Sequence, residues 1–172
     1  MVSPKSHPLV ELAKQAICEY LDARTVIQAA AALQEAFPQP AGVFVSLKKN
    51  GQLRGCVGTY QPTQPTVADE VIHNAIASAT RDPRFSPLTV MELNQIECSV
   101  DVLTRPVPTT RRDLNPQRFG ILVVQGSKRG LLLPDLDGIR TAEQQIQMAK
   151  EKAGIFADAD CALYRFNVQR YR

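Results

Sequence analysis

The chain has 172 residues, 44% of them hydrophobic and 22% charged, with a formal net charge of +3. These values are ordinary for a folded globular protein, and they argue against a disordered chain and against a strongly basic nucleic-acid-binding domain. No run of about 18 apolar residues exists, and the start of the chain from Met1 to Pro8 lacks the apolar core of a signal peptide. We therefore expect no membrane association and a cytoplasmic location.

Two helices are predicted before residue 40. Pro8 suits the first turn of a helix, and apolar residues then recur at three- and four-residue spacing over 8–22. Residues 26–36 are rich in alanine, a strong helix former, and Pro38 ends that second segment.

A β-hairpin is predicted over residues 43–59. Val43, Val45 and Leu47 recur at every second position, which is the period of a strand. Asn50-Gly51 follows, and this dipeptide is the strongest short-range signal for a hairpin turn because both residues tolerate positive φ. The return strand then runs from Gln52 to Thr59.

A third helix and a short helical turn are predicted next. Thr66 suits an N-cap, the helix runs to about Thr80, and Asp82-Pro83 stops it. A capping box formed by Thr89 and Glu92 opens the helical turn, which is expected to end near Leu93.

The rest of the chain predicts four further strands and one helix. Alternation over 95–104 predicts a strand with one wetter face, and a hairpin with a longer turn is expected over 119–133. A helix over 141–153 is expected to end at Gly154, with a last strand near 161–170. Strands thus come in hairpins with helices between them, which favours an α+β fold, a mainly antiparallel sheet flanked by helices, in a single domain over 1–172.

The four cysteines and two histidines limit the metal and redox chemistry of the chain. Its cysteines are far apart and form no Cys-x-x-Cys pair, so we expect four free thiols in a reducing compartment. Neither histidine lies at metal-ligand spacing from a cysteine. We assign no metal site and no cofactor.

The return strand of the hairpin carries the candidate chemistry. Side chains alternate between the faces of a strand, so Arg54 and Cys56 are expected to share one face, with backbones about 7 Å apart. A long guanidinium can close that gap, and a nearby cation favours the reactive thiolate form of cysteine. This pattern predicts Cys56 as a nucleophile or acid–base group and Arg54 as an anion holder.

Glycines flank Cys56 on both sides, at Gly55 and Gly58. Glycine inside a strand costs about 0.5–1 kcal/mol relative to alanine, so something must approach the backbone there: a ligand, another strand or a bulge. The alternative is structural, because cysteine is often a small buried hydrophobic residue. Both interpretations stay open.

Several motifs, in order along the chain, resemble the AMMECR-type domain family. The signature hexapeptide of that family is present as Leu53-Arg54-Gly55-Cys56-Val57-Gly58. Further matching stretches lie in order at 42–49, 74–77, 82–88, 129–134, 152–154 and 164–166, so the resemblance extends along nearly the whole chain.

The resemblance implies a two-lobed α+β fold with the signature hexapeptide near a cleft. It also implies partners, because bacterial and archaeal relatives are associated with a Memo-type protein, which resembles extradiol dioxygenases, and with a radical S-adenosylmethionine protein. No reaction is assigned to the family. This chain has no Cys-x3-Cys-x2-Cys loop and is therefore not itself the radical enzyme.

The family context also extends the set of candidate site residues. Asp82 and Arg84 are expected to bind an anion or a carboxylate, because arginine forks suit such groups. The cleft or a ligand is expected to contact Gly55, Gly58, Thr59, Asn74, Asp82 and Arg84. A polar stripe of Glu70, Asn74, Ser78 and Arg81 on the third helix is either a solvated face or part of that cleft.

This sequence departs from the family after residue 134. Family members often have a tryptophan-containing segment there, whereas this chain has no tryptophan and carries a glutamine-rich helix instead.

Two functional hypotheses follow. The first is an enzyme, or a substrate-handling subunit of one, centred on Cys56 and Arg54. The second is a non-catalytic adaptor that docks a Memo-type or radical-enzyme partner, or RNA, with the hairpin and the basic segment 105–129. That segment has only Phe119 for base stacking, whereas single-strand binders combine charge with several aromatics.

Overall fold

The structure, a computed structural model, describes residues 6–172. The first five residues of the segment considered above for a signal peptide lie outside the described part. The chain forms two compact units, one running up to Leu103 and including Gln169–Arg172, the other spanning Thr104–Val168. Their number agrees with the expected two lobes, and the assignment of 1–172 to one domain stays a prediction.

Residues 6–172 contain two antiparallel hairpins, β1–β2 and β5–β6, and two 3-10 helices at Val90–Gln95 and Arg111–Asp113. In chain order they are α1 (Pro8–Ala23), α2 (Ala31–Ala36), β1 (Val43–Lys49), β2 (Gln52–Thr59), α3 (Val67–Thr80), β3 (Ile96–Leu103), β4 (Val107–Pro108), β5 (Gly120–Gln125), β6 (Lys128–Leu132), α4 (Ala142–Ala153), β7 (Ala162–Phe166) and β8 (Val168–Tyr171).

Residues 6–172 form two four-stranded sheets, with strand orders β2-β1-β3-β8 and β4-β7-β5-β6. In the first unit, the buried face of β1 (Val43, Val45 and Leu47) packs with α1 and α3 into one apolar core. In the second unit, α4 packs on β5 and β6 around a separate core that contains Ile121 and Ile146. The predicted α+β class with antiparallel sheets is confirmed.

Most local predictions are confirmed, and three predictions of where elements begin, turn or end are corrected. α2 begins at Ala31, not at 26, because Ala30 offers no side-chain cap and the preceding Thr25, Val26 and Ile27 are β-branched. The second hairpin has a tight turn of only Gly126 and Ser127, since Gln125 already pairs with Lys128. The last strand is divided after Phe166, and its two parts join different sheets.

The expected wet face of β3 also differs in one place. Asp101 is 2% exposed, and its carboxylate accepts hydrogen bonds of 2.7 and 2.9 Å from the Arg170 guanidinium of β8. A buried charge is tolerated when it is paired in this way. Within residues 6–172, no helix is long and apolar enough to cross a bilayer.

Candidate functional site around Cys56

A stripe of polar side chains on α3 faces the β1–β2 hairpin. Glu70, Asn74 and Ser78 recur every fourth residue, and Asp82 continues the spacing beyond the helix end. These four residues are between 0 and 5% exposed, whereas Arg81 is exposed. The stripe is therefore neither a solvated face nor an open cleft lining, but a buried layer between helix and hairpin.

The first two residues of this polar stripe, Glu70 and Asn74, hydrogen-bond the end of β2, and Glu70 also bonds the loop after it. Glu70 accepts hydrogen bonds from the Thr59 hydroxyl and from Thr63. The Asn74 side-chain amide donates to the Val43 carbonyl at 3.0 Å and to the Thr59 hydroxyl at 3.2 Å. The predicted site residues Thr59 and Asn74 thus hold the hairpin against α3.

The Ser78 hydroxyl inserts at the middle of the same hairpin. It accepts a hydrogen bond from the Val57 N–H at 2.9 Å and lies 2.8 Å from the Val45 carbonyl oxygen. A buried polar group costs free energy unless it is hydrogen-bonded, and the buried Ser78 hydroxyl has backbone partners on both strands. α3 is consequently fixed to both strands of the hairpin.

The two glycines beside Cys56 are explained by packing within the first unit. A Cβ at Gly55 would overlap the Ser78 carbonyl oxygen, and a Cβ at Gly58 would overlap the Phe44 ring. The structural alternative therefore accounts for both glycines without a ligand. Whether Gly55 and Gly58 also contact a ligand stays a prediction.

Cys56 lies on β2, at the edge of its sheet, with a half-buried side chain. It pairs across the hairpin with Ser46, and the Cys56 Sγ and Ser46 Oγ atoms are 3.2 Å apart. Ser46, Phe44 and Cys56 share the sheet face opposite the buried Val43, Val45 and Leu47. The thiol is thus on the face that does not pack on α3.

An aspartate–arginine pair covers the backbone of Cys56 at the free edge of β2. Asp82 Oδ2 accepts the Cys56 N–H at 2.8 Å, and Arg84 Nη2 donates to the Cys56 carbonyl at 3.2 Å. A neighbouring strand would supply the same acceptor and donor. Asp82 and Arg84, both predicted site residues, are therefore brought directly to Cys56.

Asp82 and Arg84 form a hydrogen-bonded ion pair, and each shifts the pKa of the other. Arg84 donates to the Asp82 carboxylate through Nε at 3.0 Å and Nη2 at 2.7 Å. These contacts hold the pKa of Asp82 well below its usual range. Asp82 in turn raises the pKa of Arg84, so the guanidinium that donates to the Cys56 carbonyl stays charged.

Arg54 lies elsewhere than expected. The β1–β2 register shifts between Leu47 and Lys48, and Arg54 is the extra residue of the bulge. A bulge breaks strict alternation, so the same-face argument for Arg54 and Cys56 fails here. The Arg54 guanidinium instead donates to Glu92 through two 3.2 Å hydrogen bonds and to the Ser86 carbonyl at 2.9 Å.

Glu92 forms ion pairs with both Arg54 and Lys49 of the hairpin. Besides Arg54, Lys49 donates to its carboxylate at 3.1 Å, and the predicted capping box with Thr89 is present. Hydrogen bonds from Arg54, then from the Thr89 backbone and Lys49, lower the pKa of Glu92 to about 2. This cluster ties the 86–92 segment to the hairpin.

The other three cysteines offer a contrast with Cys56. Burial raises the pKa of the Cys98 thiol to about 12, so it stays protonated at neutral pH. Cys18 is exposed and Cys161 is half-buried, and all four cysteines are free. Among residues 6–172, no group of three or more metal-ligating side chains is arranged to hold an ion.

The basic segment 105–129 belongs to the second unit. Its aromatic residue, Phe119, is contacted by two guanidinium groups, with Arg118 and Arg165 at 5.5 and 4.6 Å from the ring centroid. Arg129 donates to carbonyls of its own turn. Phe119 is thus already stacked within the unit.

Ser46 and Phe44 were not among the predicted site residues. A two-residue turn at Asn50-Gly51 pairs Lys49 with Gln52 and, without a bulge, would pair Ser46 with Gly55. The bulge moves the partner of Ser46 to Cys56. The register predicted from the turn therefore places Ser46 one residue away from its observed partner, because the turn alone does not predict the bulge.

Comparisons with known proteins agree with the motif pattern. A family model described as AMMECR1 matches residues 10–171. A protein from Thermotoga maritima is 46% identical, with 96% of this chain and 98% of that protein covered. A Clostridium acetobutylicum protein is 42% identical over 96% of this chain, which spans only 36% of that longer protein.

A solved structure is also similar. The crystal structure of an uncharacterized protein from Pyrococcus horikoshii matches with a TM-score of 0.87 and 32% sequence identity. The match covers 94% of this chain and 88% of that one. The similarity therefore extends over both units.

Proposed function

We propose, from the premise that the chain belongs to the AMMECR1 family, that it is an enzyme or a substrate-handling subunit whose reactive group is the Cys56 thiol. The observation that carries this proposal is the Arg84 guanidinium, anchored by Asp82 and bonded to the Cys56 carbonyl. A fixed cation next to a cysteine favours the nucleophilic thiolate. The role expected for Arg54 passes to Arg84, because Arg54 is engaged by Glu92.

The test measures how fast iodoacetamide alkylates Cys56 at pH 7, read by peptide mass spectrometry, with Cys18 of the same chain as the reference thiol. Arg84→Gln should slow Cys56 by about threefold to tenfold while leaving Cys18 unchanged, because it removes the fixed cation beside the attacking residue. Arg81→Gln, an exposed arginine three residues away, is the matched control and should change neither rate. Equal Cys56 rates in the wild type and in Arg84→Gln would overturn the proposal.

Partners are the second part of the proposal. We propose that the chain acts with a Memo-type protein and a radical S-adenosylmethionine protein in the cytoplasm, where four free cysteines are stable. The length of the Clostridium acetobutylicum relative, of which this chain spans 36%, supports a role beside a further protein segment.

The same length observation favours a second candidate, a non-catalytic adaptor. Co-purification with a Memo-type and a radical S-adenosylmethionine protein separates the two candidates. An adaptor that uses the basic segment keeps its partner after Cys56→Ala and loses it after joint replacement of Arg111 and Arg112 by glutamine. The RNA variant of this candidate further requires binding that weakens steeply with salt, and salt-insensitive or absent binding would remove it.

A further inference from the structure

The two units of the chain carry their charge differently. The first unit has 10 basic and 10 acidic residues and the second has 10 basic and 7 acidic, so the whole net charge of +3 lies in the second. The ion pairs found within residues 6–172 all lie in the first unit. The cations of the second unit therefore have no carboxylate partner in the described part of the chain.

These cations of the second unit differ in how they are engaged. One group donates to main-chain carbonyls of the unit and comprises Lys128, Arg129, Lys150 and Lys152. Another has exposed guanidinium groups without a hydrogen bond to any other residue of 6–172 and includes Arg111, Arg112 and Arg118. The N–H donors of this second group are free to bind a molecule from outside the chain.

The ring of Phe119 brings this second group together with a further arginine. The Arg118 guanidinium lies 5.5 Å from the ring centroid, and the Arg165 guanidinium lies 4.6 Å from it. Arg165 also donates to the Asp113 carbonyl at 2.9 Å, and Asp113 directly follows Arg112 in its 3-10 helix. We call this group of residues the Phe119 surface, which consists of Phe119, Arg111, Arg112, Arg118 and Arg165.

The Phe119 surface is held in place from within the second unit. The buried Gln145 side chain donates to the Phe119 carbonyl at 2.8 Å. The acidic residue beside the arginines, Asp113, accepts a hydrogen bond from the Thr110 hydroxyl at 2.7 Å and forms no ion pair with them. A group of cations that is already positioned loses less freedom when a partner binds.

The chemistry of the Phe119 surface limits which anionic partner it can bind. Guanidinium groups form paired hydrogen bonds with both carboxylates and phosphates. A single-stranded nucleic acid also stacks its bases on free aromatic rings, but two guanidinium groups already contact the Phe119 ring. Duplex-binding proteins that make about 6–10 phosphate contacts use more cations than the four arginines here. The carboxylates of an acidic polypeptide require neither feature.

We infer that the Phe119 surface docks an acidic segment of a protein partner, whose glutamate or aspartate carboxylates bind the four arginines. This inference goes beyond the proposed function, because it requires no reaction at Cys56. It also names the partner chemistry that the adaptor candidate leaves open, and it adds Arg165, which lies outside the basic segment 105–129.

Two peptides that differ only in charge test the inference. Fluorescence anisotropy at low salt measures how the wild type binds a labelled peptide of alternating Glu-Gly and the matching Gln-Gly peptide. An oligouridine that carries the same number of charges is the nucleic-acid probe. We expect the Glu-Gly peptide to bind about threefold or more tighter than either other probe, the size of an exposed ion pair.

Paired replacements locate the binding. Arg111→Gln with Arg112→Gln should weaken Glu-Gly binding by about threefold or more. Lys128→Gln with Arg129→Gln is the matched control, since it removes the same charge from two adjacent, exposed residues. Arg129 pairs with Val124 at the other end of β5, about 17 Å along the strand from Phe119, so this control should change binding less than about twofold.

The outcomes are distinct. Wild-type protein that binds the Glu-Gly peptide no better than the Gln-Gly peptide overturns the inference, and this comparison needs no variant to fold. Oligouridine that binds tighter than the Glu-Gly peptide overturns it in favour of a nucleic-acid site. Equal weakening by both paired replacements would mean attraction by net charge alone and would overturn the Phe119 surface. Cys56→Ala should leave peptide binding unchanged, so the inference and the proposed function fail separately.

Discussion

The two units place a helix on a hairpin by the same packing device. In the first unit, the carbonyl of Ser78 on α3 lies where a Cβ of Gly55 would be, and in the second unit the carbonyl of Ala149 on α4 does the same at Gly130. Each glycine lies in the return strand of its hairpin. Close helix-to-strand packing therefore explains a glycine without any reference to function.

The helices differ in what they present to their hairpins. α3 contributes the buried polar stripe that ends at Asp82, whereas α4 buries two apolar residues, Ile146 and Ala149, and two polar ones, Gln145 and Lys150. Gln145, a buried polar residue of α4, donates to the Phe119 carbonyl, and its Oε1 has no partner within residues 6–172. The buried polar side chains of α4 thus bond carbonyls outside its hairpin, since Lys150 donates to Ala157 and Ala159. On α3, by contrast, the stripe reaches the hairpin itself, where Asp82 and Ser78 accept the N–H groups of Cys56 and Val57.

The largest expected effect tests the shared device. Gly55→Ala and Gly130→Ala should each lower the free energy of unfolding by about 3 kcal/mol, because the added methyl group meets a backbone carbonyl that cannot move away. Urea unfolding measures both. Gln52→Ala, at an exposed position of β2, is the control and should change stability by less than about 0.5 kcal/mol. A glycine variant as stable as wild type would mean that this helix does not pack so closely.

A smaller effect tests the difference between the helices. Ser78→Ala should cost about 2 kcal/mol, since it deprives the Val57 N–H of its acceptor inside the protein. Ser86→Ala is a matched control, because the recorded contact of the exposed Ser86 uses only its backbone carbonyl. Equal stability of the two variants in urea would show that the polar stripe does not hold the hairpin.

The smallest effect concerns pH and the Glu92 cluster. The folded pKa of Glu92 is about 2, against an ordinary value of 4.5, so its contribution to stability is present above pH 4.5 and is lost as pH falls through 2. We expect about 1–2 kcal/mol to disappear between these limits. As the pH is lowered from 4.5 to 2, the free energy of unfolding should therefore fall less steeply in Glu92→Gln than in the wild type. Identical slopes would contradict the assignment.

Local features were predictable because their causes are local. The Asn50-Gly51 turn, the Thr66 N-cap and the capping box of Thr89 with Glu92 each depend on residues within a few positions. The predicted helix end at Gly154 is confirmed for the same reason, with a positive φ of 64° that glycine adopts without strain. Element boundaries failed where such signals were missing, as at Ala30 before α2.

The candidate site was predictable only in part. Cys56, Asp82 and Arg84 do come together, as their inclusion in one site required. Thr59 and Asn74 also lie on the same hairpin–helix layer, but as buried contacts between helix and hairpin. Strand alternation alone selected Arg54 as the partner of Cys56, and one bulge was enough to invalidate that choice.

The sequence by itself determined the hairpin around Cys56 and the helix that follows it, because periodicity, turn residues and caps act over short distances. It also determined the family to which the chain belongs, through motifs in order along the chain. Only the tertiary structure decided which arginine serves Cys56. Arg54 is two residues from Cys56 and turns to Glu92, whereas Arg84 is 28 residues away along the chain and donates to the Cys56 carbonyl. Arg84 rather than Arg54 contacts Cys56 because of the bulge in β2 and the packing of α3 on the hairpin. Neither feature can be predicted from the spacing of neighbouring residues.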